Sequence, residues 1–64
     1  MSKTLAEWLE ANDENVPGFS RKIRVSKMTV YRYVNGESIP QRRIMQRILR
    51  ATKGEVSPAS FFPS

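Results

Sequence analysis

The side chains with the clearest chemical potential in this chain are its basic ones, and they are unevenly distributed. Residues 21 to 53 hold ten lysine and arginine side chains against one carboxylate, Glu37, a net charge of +9. Residues 1 to 20 hold Lys3 against four carboxylates, a net charge of −3, and the whole chain carries +5. Such an asymmetry suits a partner rich in phosphates, but a run of charge is equally often only a solvated surface. The elements that position these residues therefore decide the interpretation.

The segment from Val16 to Gly36 predicts two short helices joined by a tight turn. Its apolar residues follow a helical spacing, lose register at Val25 and then restart: Phe19, Ile23, Val25, Val30, Tyr33 and Val34. Asn15 and Ser26 each precede a new periodic segment and can cap a helix, and Asn35-Gly36 is a strong helix stop. This pattern indicates a helix-turn-helix and does not fit a sheet.

The second of these helices should run from about Lys27 to Val34. With Val30, Tyr33 and Val34 directed inward, its outward face carries two cations and no acid: Lys27, Met28, Tyr31 and Arg32. A face of this kind suits the major groove of DNA.

These residues resemble the Cro/CI-type (XRE-like) helix-turn-helix of phage and bacterial repressors. The five positions that the family keeps apolar are occupied here by Phe19, Ile23, Val25, Val30 and Tyr33, and Ser20 occupies the position that the family keeps small. The resemblance covers roughly residues 4 to 62. It implies an all-α, lambda-repressor-like domain over residues 1 to 64, a compact bundle of four helices plus a short C-terminal helical turn.

Two positions depart from the family pattern. Arg24 stands at the turn position that relatives give to glycine, so the turn is either strained by about 1 kcal/mol or shaped differently. Val16 stands where relatives often have a glutamine that touches DNA, so that contact is not expected here.

The remaining helices are predicted from caps and periodicity. Thr4 to Glu7 has the form of a capping box, which starts a first helix from about Leu5 to Ala11 with Trp8 in the core. A fourth helix should follow the loop that ends at Pro40 and end near Gly54. Its apolar side should hold Ile44, Met45, Ile48 and Leu49, and its polar side Arg43, Gln46, Arg47 and Arg50. Ser57-Pro58 should begin a terminal turn, from which Phe61 or Phe62 folds back onto the first helix.

The resemblance and the chemistry together assign roles to individual residues. Relatives read bases with the first two residues of the second helix of the motif and one about a turn later, which implies Lys27, Met28 and Arg32. Arginine can grip guanine O6 and N7, lysine can reach guanine or phosphate, and methionine can pack on a thymine methyl. The expected phosphate contacts are Thr29, Tyr31, Arg21, Lys22, Arg42 and Arg43. Tyr31 is equally consistent with an aromatic ring that merely shields the helix.

The function that follows is a small repressor that binds a two-fold DNA operator as a homodimer, without a small-molecule ligand. Two alternatives share the fold: an antitoxin that represses its own operon, and a module whose basic face binds an acidic protein. With no cysteine and no histidine, the chain offers no zinc site and no nucleophile-base pair, so we expect no cofactor, no metal and no enzyme activity. The apolar runs are too short for a membrane span or a signal peptide, so a location in the bacterial cytoplasm, near the nucleoid, is expected. Met1 and the closing Pro63-Ser64 favour a whole protein over a trimmed domain.

Overall fold

Four α-helices and one short 3-10 helix make up the computed structural model, which describes residues 3–62. The α-helices are α1 (Leu5–Ala11), α2 (Val16–Ile23), α3 (Lys27–Val34) and α4 (Arg42–Ala51), and the 3-10 helix is η1 (Pro58–Phe61). Residues 3–62 contain no strand. The prediction of an all-α chain with four helices and a terminal turn is confirmed.

The first three helices begin at the side-chain caps that the sequence indicates. The Thr4 hydroxyl accepts the Glu7 N–H at 3.2 Å, while the Thr4 N–H donates to Glu7 Oε1 at 2.9 Å, which completes a capping box. Asn15 Oδ1 accepts the Gly18 N–H at 2.7 Å, and Ser26 Oγ accepts the Thr29 N–H at 3.2 Å. Each cap satisfies a backbone donor that the helix itself leaves unpaired.

All four α-helices end with the same backbone arrangement, a Schellman motif. At the end of α2, the Arg24 N–H donates to the Arg21 carbonyl at 3.3 Å and the Val25 N–H donates to the Ser20 carbonyl at 3.1 Å. This motif needs one residue in the left-handed region. The residues in that position have φ values of +54°, +59°, +76° and +55°, for Asp13, Arg24, Gly36 and Lys53. Only Gly36 among the four is a glycine. The left-handed conformation of the other three residues was not evident from the sequence as a shared feature.

The core collects apolar residues from every α-helix. Its buried members are Leu5, Trp8, Leu9, Phe19, Ile23, Val30, Tyr33, Ile48 and Val56. Trp8 is 6% exposed and its ring centroid lies 5.5 Å from that of Phe19, so its predicted place in the core is confirmed. Helix α2 packs against α3 and α4, and α1 packs against α3. Ser20 is buried within α2, where its hydroxyl donates to the Pro17 carbonyl at 2.8 Å.

The two C-terminal phenylalanines have different environments. Phe61 packs edge-on against Tyr33, with ring centroids 6.3 Å apart, and lines a small cavity of about 210 Å³ with Leu5 and Ala6 of α1. Phe62 is 54% exposed. Phe61 folds back, but its ring packs on Tyr33 of α3 and not on α1 as predicted; with α1 it shares only the lining of that cavity.

Helix α4 is covered less evenly than the sequence predicts. Ile48 is fully buried, but Ile44, Met45 and Leu49 are only half-buried. The sequence places Arg47 on the polar side of α4 but does not indicate its contact with α2. Arg47 is half-buried and its Nη1 donates to the Ile23 carbonyl at 3.2 Å, because α4 crosses the end of α2 at this point.

The segment after α4 depends on one buried polar side chain, Thr52. Its hydroxyl donates to the Ile48 carbonyl at 2.8 Å and accepts the Val56 N–H at 3.3 Å. This pair of bonds joins the end of α4 to the buried Val56. Within residues 3–62, no helix is both long enough and apolar enough to cross a membrane.

Candidate nucleic-acid interface

The outward face of α3 consists of four side chains, which we call the α3 face: Lys27, Met28, Tyr31 and Arg32. All four are exposed, Met28 to 59% and Tyr31 to 44%. Lys27 and Tyr31, and Met28 and Arg32, are four residues apart, and Met28 and Tyr31 are three apart, which places the four side chains on one side of the helix. The three residues predicted to read bases therefore share one surface with Tyr31. This surface carries two positive charges and no carboxylate.

Helix α3 packs into the core on the side opposite this face. Val30 is fully buried and Tyr33 nearly so, on the side that packs against α2 and α1. Burial raises the pKa of the Tyr33 phenol, so this side chain remains neutral throughout the physiological range. The Ser26 cap fixes the first turn of α3, where Lys27 and Met28 lie.

The turn between α2 and α3 contains a non-glycine residue in the left-handed region. Arg24 has φ 59° and ψ 46°, inside the left-handed helical region. Of the two alternatives left open by the sequence, the structure therefore selects the strained turn rather than a different shape. Arg24 precedes Lys27, the first residue of α3, by three positions.

Two of the predicted phosphate contacts have partners within the chain. Thr29 is half-buried, and its hydroxyl lies 2.9 Å from the Ser26 hydroxyl as part of the α3 cap. The Lys22 ammonium forms an ion pair with Glu14. A phosphate would have to compete with these interactions. Arg21 is exposed in the last turn of α2.

The first turn of α4 exposes both Arg42 and Arg43. The residue that precedes it, Gln41, forms no side-chain capping bond, so it leaves the first backbone donors of α4 without a side-chain acceptor. At the start of α2, by contrast, Asn15 occupies the Gly18 N–H. Two guanidinium groups beside unpaired helix donors favour an anion, and this helix start combines both features.

Three basic residues that the sequence analysis did not assign to a site lie near Lys22. Arg24, Arg47, Arg50 and Lys22 line one open cleft. The spacing of Arg47 and Arg50 puts them on one helix face, but nothing in the sequence indicates that this face meets the end of α2. Residues 3–62 contain no group of three or more metal-ligating side chains.

Comparisons of the chain with protein-family models, with curated proteins and with solved structures find no match.

Proposed function

We propose that this chain is a sequence-specific, double-stranded DNA-binding regulator of transcription, a repressor of the Cro type. The observation that carries this proposal is the α3 face: four exposed side chains, two of them cationic, on a capped helix whose other side is buried. An α-helix with its side chains is about 10–12 Å across, which fits the major groove, about 12 Å wide.

Within this proposal, Lys27, Met28 and Arg32 read the bases. Arg32 can donate two parallel hydrogen bonds to guanine O6 and N7, a pattern that no other base pair presents at that position. Met28 is the most exposed large apolar side chain of the described chain, and packing on a thymine methyl would cover it. Lys27, in the capped first turn, can reach either a guanine or the neighbouring phosphate.

Arg42 and Arg43 would supply most of the sequence-independent affinity. Both are exposed, and both lie in the first turn of α4, whose backbone N–H groups the Gln41 side chain does not cap. Four other residues are secondary candidates for phosphate contacts: Arg21, Lys22, Thr29 and Tyr31. Of these, Lys22 and Thr29 already have partners inside the chain. Each phosphate contact releases condensed counterions, so binding should weaken steeply as salt increases.

The complex on DNA is proposed to be a homodimer on a two-fold operator. Recognition helices of this kind read a few base pairs each, and a dimer doubles the site without enlarging the domain. The protein would act in the cytoplasm of a bacterial host and would need no small-molecule ligand. An acidic protein partner for the α3 face is the competing function.

Selection of bound sequences from random duplexes at physiological salt tests the proposal. A repressor should enrich a two-fold motif, whereas a protein-binding module should enrich none. With that operator known, Arg32→Ala should weaken its binding by about 1–3 kcal/mol and relax the preference at one base pair in each half-site.

Arg43→Ala is the matched variant, since it removes the same charge from the neighbouring helix. It should weaken operator and random duplex alike, and it should reduce the salt dependence by about one ion per contact. Titrations of both variants at several salt concentrations distinguish base reading from backbone contact. Equal weakening of both duplexes by Arg32→Ala would contradict base reading by the α3 face.

A further inference from the structure

Four basic residues and Ala51 line an open cleft between the end of α2 and the second half of α4, which we call the α2–α4 cleft. Lys22, Arg24, Arg47 and Arg50 surround a space of about 570 Å³, and no carboxylate lines it. Four like charges around one space repel one another, and this arrangement leaves the cleft strongly attractive to an anion.

Helix dipoles explain only part of this cluster. The last turns of α2 and α4 hold Lys22 and Arg50, where the negative end of a helix favours a cation. Arg24 is the C-cap residue of α2, and Arg47 donates to the carbonyl of Ile23, the last residue of α2, so both also lie at the negative end of that helix. A helix end carries only about half a negative charge, so Lys22, Arg24 and Arg47 together leave an excess of positive charge there.

The side chains of the cleft are available to a ligand to different degrees. Glu14 pairs with the Lys22 ammonium. One N–H of Arg47 donates to the Ile23 carbonyl at 3.2 Å, which holds the guanidinium at the cleft. The other N–H groups of that guanidinium remain available to a ligand. Arg24 and Arg50 are exposed, and neither side chain forms an ion pair or hydrogen bond with residues 3–62. Three guanidinium groups suit phosphate oxygens, which they can bind in pairs.

We propose that the α2–α4 cleft is a second phosphate-binding surface, which holds the DNA backbone beside the site that the α3 face reads. This inference rests on the proposed function. Its support is continuity between the two surfaces: Arg24 and Lys27 are three residues apart, so their Cα atoms are at most about 11 Å apart. The major groove is about 12 Å wide, so a residue at that distance from the start of α3 can reach the phosphates along the groove edge.

The test uses a variant that removes two cleft charges without straining the backbone, Arg24→Gly combined with Arg50→Gln. Glycine accepts the left-handed conformation at residue 24. The control is Lys53→Gly combined with Lys3→Gln, which removes the same charge outside the cleft lining and also replaces a left-handed cation by glycine. Each protein is titrated with the selected operator, alone and extended by about 10 base pairs on each side, at several salt concentrations.

On the extended duplex, the cleft variant should bind roughly tenfold more weakly than the control, and its salt dependence should fall by about two ions per chain. On the operator alone, without the added base pairs, the difference in affinity between the cleft variant and the control should be smaller. Equal binding of the cleft variant and the control on the extended duplex would overturn the proposal. Failure of the proposed base reading is a separate result: the wild-type protein would then bind the operator and a random duplex equally well.

A second measurement separates the sources of phosphate. Inorganic tripolyphosphate is added, and the melting temperature of each protein is followed by the fluorescence of Trp8, the single tryptophan. If only the cleft variant loses stabilisation by tripolyphosphate while its affinity for the extended duplex equals that of the control, the cleft binds a free polyphosphate and its assignment to DNA is wrong. If an oligoglutamate peptide discriminates the two variants and neither phosphate probe does, the cleft serves an acidic protein segment and the proposal fails.

Discussion

At Arg24, the requirement of the fold and the preference of the residue conflict. The Schellman motif at the end of α2 needs a left-handed residue there, and a side chain with a Cβ atom occupies that conformation at a cost of about 1 kcal/mol. Asp13 and Lys53 are in the same position at the ends of α1 and α4. Strain of this size is tolerated because each motif also satisfies helix carbonyls that would otherwise lack donors.

Arg24→Gly should leave the melting temperature unchanged or raise it. Relief of the strain and the larger entropy of the unfolded glycine chain are each about 1 kcal/mol and act in opposite directions. Thermal unfolding followed by circular dichroism measures the outcome. Arg24→Ala, which loses the charge but keeps the strain, is the control and should not stabilise. A clear loss of stability in Arg24→Gly would show that the arginine side chain contributes to the fold.

Thr52→Val should destabilise the protein by about 1–3 kcal/mol, although the two side chains have nearly the same shape. The buried Val56 N–H would lose its acceptor, while the Ile48 carbonyl would still accept the Thr52 N–H. Chemical denaturation measures the loss. Hydrogen exchange at the Val56 amide gives a specific readout: it should accelerate in Thr52→Val and remain slow in Thr52→Ser, which keeps the hydroxyl. Unchanged exchange in both would mean that this bond does not protect the segment.

At the scale of elements, α1 depends on its capping box. The hydrogen bonds from the Thr4 backbone and then the Thr4 side chain lower the pKa of the Glu7 carboxyl below its ordinary value of 4.5, and Lys3 adds to this effect. A carboxyl whose pKa is lower in the folded state stabilises that state above the ordinary pKa. Its contribution is lost as the pH falls through the lowered value.

The protein should therefore lose the stabilising contribution of the Glu7 carboxylate as the pH falls below about 4.5. Melting temperatures measured between pH 6 and pH 3 should fall more steeply for the wild-type protein than for Glu7→Gln, which keeps an acceptor for the Thr4 N–H but does not titrate. Thr4→Ala should reduce stability at pH 6 and flatten the same profile. Parallel profiles for wild type and Glu7→Gln would show that the capping box is not the titrating element.

At the scale of the whole molecule, small size limits stability. A domain of about 60 residues buries only about 60% of the surface that its unfolded chain exposes, and no cysteine is present to form a disulfide. Binding of a second copy or of DNA would add stability, because any partner of the folded state alone shifts the folding equilibrium.

We therefore expect a weak dimer in solution and a dimer on DNA. Sedimentation should show association that increases with concentration, and the melting temperature should rise with it. Footprinting on the selected operator should reveal two protected half-sites about 10 base pairs apart, centre to centre. One unsymmetric half-site, bound by a single chain, would contradict the dimer.

The sequence by itself determined the helices, their starts and most of the core. Thr4, Asn15 and Ser26 cap α1, α2 and α3, and the apolar spacing places Phe19, Ile23 and Val30 inside. These features depend on residues three or four apart, so their periodicity is visible in the chain. The composition of the α3 face follows from the same periodicity, because fixing the buried side of a helix also fixes its exposed side.

Only the tertiary structure decided which distant elements meet. Arg47 looks like a surface residue in sequence, yet it bonds the Ile23 carbonyl 24 residues away because α4 crosses the end of α2. The same crossing brings Lys22 and Arg24 beside Arg47 and Arg50. Helix periodicity gives the faces of each helix but not the angle at which two helices cross. Whatever depends on that angle, including the α2–α4 cleft, could not be predicted from the sequence.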